Sequence, residues 1–325
     1  MVTLTIVPIN AEICTNDLSV RENFSFNDNN YENLTCQEKF EKKLEATGVS
    51  TDYYDLLSRV SLEKISEAKS ISTISSYYIE TEDGKELLQT KKDKYLEVVK
   101  EEKERIKNVE MQTAEIRKAQ TTGRALSDVL FASPGNTATI NKGTLNMVIF
   151  LYSEDGTNFT SLGIFQWETM PSARHKDAFG LTRDSTTSVI PQSAIAEYSK
   201  TYIISYFSDS NYIVSEHEDI VELYFNDLEA SSTGYAFDFE LGIDSSSNTY
   251  PYYSVRYKEM IGVLSYDGIV NNQNISTVNH WATYAHKRLR LLFNGIDFSI
   301  PFGAGFSITW GWSYNQLIEE HIWRR

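Results

Sequence analysis

Five histidines are the side chains best suited to acid–base chemistry or metal binding near neutral pH. They are His175, His217, His280, His286 and His321. None lies in a His-Glu-x-x-His pattern, and the chain contains neither Cys-x-x-Cys nor Gly-x-Ser-x-Gly. A Ser-His-Asp triad needs no closeness in sequence, so a secreted hydrolase stays an alternative. These patterns indicate no catalytic residue, no metal site and no cofactor.

The acidic run Glu216-His217-Glu218-Asp219 carries donors that hold a divalent cation weakly. A solvated loop is the interpretation that we favour, because nothing else in the pattern fixes a ligand geometry. Tyrosines cluster at Tyr250-Pro251-Tyr252-Tyr253, where their rings suit stacking against sugars or protein surfaces. The same rings equally suit ordinary packing between strands.

The segment from Trp167 to Gly180 stands out because apolar, charged and turn-forming residues alternate closely. A strand is expected to end at Pro171, which cannot donate a hydrogen bond to a neighbouring strand. We interpret the segment as a structural corner, with Trp167 in the core and Arg174 paired with Asp177. Ligand recognition by the same residues is the alternative.

The pattern W-x-T-M-P-x-x-R-x-x-D-x-x-G in this segment resembles a family of uncharacterised secreted proteins of Gram-positive bacteria, clostridia in particular. The resemblance covers roughly residues 145–315 and includes an aromatic, serine-rich strand near residue 310. It implies secretion and a fold rich in β-strands. It implies no activity and no catalytic residues.

Residues 1–11, MVTLTIVPINA, are similar to the end of a secretory signal peptide, with an apolar stretch followed by a small residue. An N-terminal strand of a cytosolic protein is the alternative. The two cysteines, Cys14 and Cys36, suit a disulfide in an oxidising compartment, and two unpaired thiols remain the other interpretation. These features predict a secreted or cell-surface protein.

Charge and hydropathy exclude two classes of function. The 325 residues include 30 Lys and Arg against 45 Asp and Glu, which gives a formal net charge of −15. Such a surface repels phosphates, so we expect no nucleic-acid partner. No apolar run approaches the ~20 residues of a membrane-spanning helix, so we expect no integral membrane helix.

Proline and glycine are scarce before residue 130, which predicts a helical first half. Helices are expected over Tyr53–Lys69 and Lys85–Gln120, with an extended stretch at Ser70–Glu80. The turn-forming run Ser133-Pro134-Gly135-Asn136 marks the boundary with the second half. The predicted organisation is a signal-peptide remnant over 1–11, a polar tail over 12–48, a helical region over 49–132 and a β-rich domain over 140–325.

The second half alternates apolar and polar residues with the period of a half-buried strand. Tyr235–Ile243 and Phe306–Tyr314 show this most clearly. Six further candidates bring the count to about eight strands, which is typical of a sandwich or a closed antiparallel sheet. The predicted fold class is α+β, a helical N-terminal region followed by an antiparallel β-sandwich-like domain of about eight strands.

These observations favour a secreted or cell-envelope-associated protein that binds rather than catalyses. Its expected partner is an unknown extracellular protein or glycan. A β-pore-forming toxin is a further alternative, because Phe306–Tyr314 is apolar on one face and small or polar on the other. Arg288 and Arg290 in the neighbouring strand argue against its insertion into a membrane.

Overall fold

The computed structural model describes residues 18–26, 31–84, 86–121, 142–172, 174, 176–208, 211–231, 233–247, 252–287, 298–299, 307–308 and 314–324. The helices are α1 (Cys36–Ala46), α2 (Tyr54–Glu67) and α3 (Lys92–Thr121), with 3₁₀ turns at Thr51–Tyr53 and Phe225–Asp227. Within those ranges, no helix combines the length and the apolar content that crossing a membrane requires.

The strands alternate with short turns along the chain. The first nine are β1 (Val20–Ser25), β2 (Ser70–Glu80), β3 (Leu87–Thr90), β4 (Thr144–Ser153), β5 (Asn158–Thr169), β6 (Lys176–Arg183), β7 (Thr187–Val189), β8 (Ile195–Ser208) and β9 (Asn211–Tyr224). The others are β10 (Glu229–Ser231), β11 (Gly234–Glu240), β12 (Ser245–Ser246), β13 (Tyr252–Val270), β14 (Thr277–Lys287), β15 (Phe298–Ser299), β16 (Ser307–Ile308) and β17 (Tyr314–Arg324).

Two antiparallel sheets pack face to face. The large sheet has the order β1-β2-β4-β5-β13-β8-β9, with β3 paired to β2 and with β7 and β12 paired to β13. The small sheet has the order β10-β11-β6-β14-β17. This confirms the predicted α+β class with a sandwich-like β part. The structure has more strands than the eight counted from the sequence, because short strands such as β3, β7 and β10 carry too few residues to show a period.

The core between the sheets is built from aromatic rings. Phe165 of β5 stacks on Phe239 of β11, with ring centroids 4.7 Å apart, and it also contacts Phe179 and Tyr284. These side chains alternate with outward-facing neighbours, so each strand contributes its inner face to one buried layer. The core extends to Trp167, which is completely buried.

The other face of the large sheet is covered by the three helices. Helix α1 begins at a capping box, in which Thr35 accepts the Glu38 amide and the Glu38 carboxylate accepts the Thr35 amide. Phe40 and Leu44 of this helix lie in a buried cluster with residues of α2, β4 and β5. Helix α3 packs on β2 through Tyr95 and Val99. Strand β1 and helix α1 therefore fall within the segment 12–48, which the sequence analysis treated as a polar tail.

The extended stretch predicted at Ser70–Glu80 is confirmed as β2, with the same bounds. The helix predicted over Lys85–Gln120 begins later, because β3 pairs with β2 before α3 starts. The connection turns at Gly84, whose φ of 67° favours glycine. Strand β2 pairs with β4, so elements from both predicted halves share one sheet. The boundary predicted at 133–136 and the segment 1–11 lie outside the described residues.

A group of buried polar side chains joins the edges of the two sheets, and we call it the polar junction. Its members are Ser19, Ser72, Tyr78, Glu319 and His321. Ser19 donates to the Glu319 carboxylate at 3.0 Å, and His321 Nε2 lies 2.9 Å from the Ser72 hydroxyl. Tyr78 also donates to Glu319. The junction therefore connects β17 of the small sheet to β2 of the large one.

Candidate functional site

The corner that the sequence predicts starts at Trp167. The Trp167 indole donates from Nε1 to the Tyr284 hydroxyl at 2.6 Å. Pro171 follows the end of β5 and is buried. Behind it, the carboxylate of Glu80 accepts the backbone amides of Ser172 and Gly143 at 2.9 Å and 3.0 Å. The corner is thereby fixed to β2 on one side and to the small sheet on the other.

Asp177 lies on β6 and is completely buried. Its carboxylate accepts the Tyr284 hydroxyl at 2.6 Å and lies 2.8 Å from His286 Nδ1. Both partners are on the inner face of β14, two residues apart. Burial, and then the negative charge of Asp177, raise the pKa of Tyr284, so this phenol stays protonated and donates. A hydrogen-bonded chain therefore runs from Trp167 through Tyr284 to Asp177.

Arg174 and Asp177 do not pair, which corrects the expectation from sequence. Arg174 binds Asp244 through its guanidinium and the Pro171 carbonyl through Nε at 3.0 Å. The two predicted partners diverge because Asp177 enters β6 and turns into the core, whereas Arg174 precedes the strand. The corner thus has a buried half and a surface half.

The surface half of the corner, formed by Arg174 and Asp244, also contacts strand β13. Asp244 Oδ1 also accepts the backbone amide of Tyr257 at 2.8 Å. Gly242 lies against the same tyrosine, and a β-carbon at that position would lie 2.6 Å from the ring. Arg174 and Asp244 therefore hold residues 242–244 against β13, at the point where the small sheet ceases to cover the inner face of β13.

Strands β8, β9 and β13 continue past the strands of the small sheet that cover them. Where the two sheets still overlap, Tyr198 of β8 stacks on Phe237 of β11 with ring centroids 6.1 Å apart. Further along, the same side of the three strands carries exposed or half-buried apolar rings and branched side chains. We call this side the aromatic face, formed by Tyr202, Ile204, Tyr206, Ile213, His217, Tyr253, Val255 and Tyr257.

Three rings form a row across the aromatic face. Tyr202 stacks on His217 with centroids 5.5 Å apart and lies 5.3 Å from Tyr257 on its other side. The three residues are directly opposite one another on neighbouring strands. Closer to the C-terminal end of β8, Tyr206 is directly opposite Tyr253 of β13. These two side chains have 39% and 44% of their surfaces exposed. The face thus offers flat rings to an incoming molecule.

Acidic side chains border these rings. The Tyr202 hydroxyl donates to Asp219 at 3.2 Å. Partial burial raises the pKa of Tyr257, and the charges of Asp219 and Asp244 raise it further, while Arg174 opposes them. Both tyrosines are therefore neutral near pH 7, and Asp219 accepts the one O–H of Tyr202. The aromatic face suits a neutral or positively charged molecule.

Replacing Asp244 with alanine is expected to speed amide hydrogen exchange at Tyr257 about fivefold, since one hydrogen bond is worth roughly 1 kcal/mol. Asp219→Ala is the control, because Asp219 contacts the same rings but accepts its hydrogen bond from a side chain. Hydrogen exchange followed by mass spectrometry or NMR measures the change. Unchanged exchange at Tyr257 in Asp244→Ala would contradict the role assigned to this carboxylate.

A cavity of about 340 Å³ lies on the opposite, helical side, between α3 and β13. Two ion pairs lie within its charged lining, since Lys103 binds Glu168 and Arg256 binds Glu110. Burial raises the pKa of Glu259 in the same lining. Within the described ranges, no three His, Cys, Asp or Glu side chains converge as metal ligands. The aromatic face is therefore the stronger candidate for a functional site.

The remaining predicted site residues are cysteines. The Cys36 thiol donates to the Ser66 hydroxyl at 3.1 Å. Cys14 lies outside the described residues, so the disulfide stays a prediction.

Sequence reasoning missed most of the aromatic face, although it singled out Tyr253. The even spacing of Tyr198, Tyr202 and Tyr206 was the signal that would have found it. No protein-family model matches the chain, and no curated protein is significantly similar to it.

Proposed function

We propose that this is a secreted or cell-surface protein that acts by non-catalytic binding, and that the aromatic face contacts an extracellular protein or glycan. The observation that carries the proposal is the row of half-buried and exposed rings on strands that extend beyond the sandwich. Contiguous exposed apolar surface bordered by polar groups is characteristic of binding sites. Tyrosine suits such a surface, because its ring packs while its hydroxyl keeps a hydrogen bond.

Export is supported by the N-terminal segment 1–11 and by the resemblance of Trp167–Gly180 to secreted clostridial-type proteins. The buried chain of Trp167, Tyr284 and Asp177 supports a structural rather than a catalytic role for the corner, since its groups bind one another within the core. Arg174 connects this corner to the aromatic face through Asp244.

The charge of the protein narrows the range of possible partners. The formal net charge of −15 and the acidic border of the aromatic face disfavour nucleic acid, anionic lipid and acidic polysaccharide. A neutral glycan or a neutral to basic protein surface fits both the rings and the surrounding carboxylates.

Co-sedimentation tests the proposal. The full chain is mixed with cell envelopes of a clostridial-type Gram-positive bacterium and with protease-treated sacculi from the same cells. We expect pelleting with at least one of them. The double variant Tyr206→Ala/Tyr253→Ala is expected to pellet at least fivefold less. The control is Tyr224→Ala, because this tyrosine lies on the other side of β9 and has 57% of its surface exposed.

Three outcomes would overturn this proposal. They are pelleting with neither preparation, unchanged pelleting of the double variant, and an equal loss in Tyr224→Ala. Dye-loaded liposomes are assayed in parallel, because dye release by the full chain would favour the pore-forming alternative.

A further inference from the structure

Strand β9 is a long edge with one described neighbour. It is the last strand in the order of the large sheet, and among the residues that the structure describes it pairs only with β8. Its 14 residues, Asn211–Tyr224, contain no proline and no lysine. Proteins usually block such edges, because their outward N–H and C=O groups pair readily with another strand. Tyr224 donates its backbone amide to the Asp227 carboxylate at 3.0 Å. Within the part of the chain that the structure describes, no strand pairs with the outward edge of the rest of β9.

The side chains of β9 combine apolar and acidic character. Ile213, Val214 and Ile220 have 56%, 52% and 47% of their surfaces exposed. The same strand carries four exposed acidic residues, Glu216, Glu218, Asp219 and Glu222. Lys258 binds Glu216 at 3.1 Å, which neutralises one of the four.

This pattern disfavours pairing with a second copy of the chain. Two β9 strands that pair antiparallel about Glu218 would place that carboxylate directly opposite its equivalent. Like charges in directly opposed positions destabilise a strand pair. A strand with basic side chains would instead gain an ion pair at the same position.

We propose that the edge of β9 binds an extended, basic polypeptide segment, which adds to the large sheet as a further antiparallel or parallel strand. Backbone hydrogen bonds to β9 hold the segment, and its Lys or Arg side chains face Glu218 and Glu222. Its apolar side chains alternate with these and lie on the opposite face, where they pack against Ile213. This inference rests on the proposed function and deepens it, because it names a protein segment as the partner and places it beside the aromatic face.

The probe is a 12-residue acetylated peptide of alternating Lys and Val, measured by fluorescence anisotropy with the full chain. Two peptides serve as controls, one with Glu in place of Lys and one N-methylated at every second residue. N-methylation keeps the charge but removes the backbone donors on one edge. We expect the Lys-Val peptide to bind at least tenfold more tightly than either control. Equal binding of the N-methylated peptide would overturn the proposal, because it would show charge attraction alone.

A charge-reversal variant tests the location of the site. Glu218→Lys/Glu222→Lys is expected to weaken binding of the Lys-Val peptide at least tenfold. The matched control is Glu101→Lys/Glu104→Lys, which makes the same charge change on an exposed part of α3. Equal weakening in both variants would overturn the proposal.

The envelope assay separates this inference from the function on which it rests. If the β9 variant pellets normally with envelopes, or if protease-treated sacculi bind as well as untreated envelopes, the strand-addition proposal fails and a glycan partner for the aromatic face stands. If nothing pellets, the proposed function fails. Loss of envelope binding in the β9 variant, with binding kept in the α3 variant, supports both.

Discussion

Asp177→Asn is expected to lower the free energy of unfolding by about 3 kcal/mol. The carboxylate is completely buried and accepts hydrogen bonds from Tyr284 and His286. Asparagine has nearly the same shape but is neutral, so the two charge-assisted hydrogen bonds that Oδ2 accepts become weaker neutral ones. The amide nitrogen also replaces the acceptor Oδ1 in the core.

Urea unfolding at pH 7 measures this effect. The control is Asp238→Asn on the neighbouring strand β11, where a partly exposed carboxylate binds Lys176. Surface ion pairs are worth about 1 kcal/mol or less, so this variant should remain close to the parent protein. Comparable losses in the two variants would show that the chain from Trp167 to Asp177 does not stabilise the corner.

Mild acid is expected to destabilise the protein through two histidines that are buried in their neutral form. His280 and His321 are directly opposite on β14 and β17, and neither is exposed. Burial, and then the charge of Arg21, lower the pKa of His321 to about 3. Burial lowers the pKa of His280 well below its usual value, and His321 and Arg183 add to the shift.

The direction of this pH dependence follows from proton uptake by the unfolded chain. Below pH 6.5 the unfolded chain takes up a proton at each histidine, whereas the folded chain does not. The free energy of unfolding therefore falls by about 1 kcal/mol per histidine for each pH unit. Above pH 6.5 the two histidines contribute no pH dependence. Between pH 6.5 and pH 5 the pair accounts for a loss of about 3 kcal/mol.

Urea unfolding at intervals between pH 7.5 and pH 5 measures the slope. His280→Gln and His321→Gln each keep a neutral polar side chain, and each is expected to reduce the slope by about 1 kcal/mol per pH unit. The carboxylates are the same in the parent and the variant, so the difference in slope isolates the histidine. His217→Gln, on the exposed aromatic face, is the control. Parallel slopes for the parent and the two core variants would refute this assignment.

Local patterns allowed part of the fold to be predicted from sequence. The bounds of β2 were predictable because Ser70–Glu80 follows a clear helix end and is rich in β-branched residues. The helix predicted over Tyr53–Lys69 is observed as α2, Tyr54–Glu67. Its start was predictable because Ser50 caps the 3₁₀ turn that comes directly before it. In both cases the deciding interactions are within a few residues of the segment itself.

Strand β6 shows why other parts could not be predicted. Lys176–Arg183 includes buried Asp177 and Arg183, so its sequence looks like a charged turn. The groups that satisfy Asp177 are 107 and 109 residues away, on β14. Arg174 likewise finds Asp244 70 residues further along the chain. Contacts this far apart in sequence leave no signal in the spacing of nearby residues. The sequence therefore predicts where the corner lies, but it does not predict which side chains bind Arg174 and Asp177.

The polar junction also constrains how fast the native state forms. Ser19 and Glu319 are 300 residues apart, yet their side chains meet at 3.0 Å. Closing such a loop costs chain entropy before any contact compensates it, and folds dominated by distant contacts form slowly. We therefore expect the sandwich to close late in folding, after residue 319 is free to join β2.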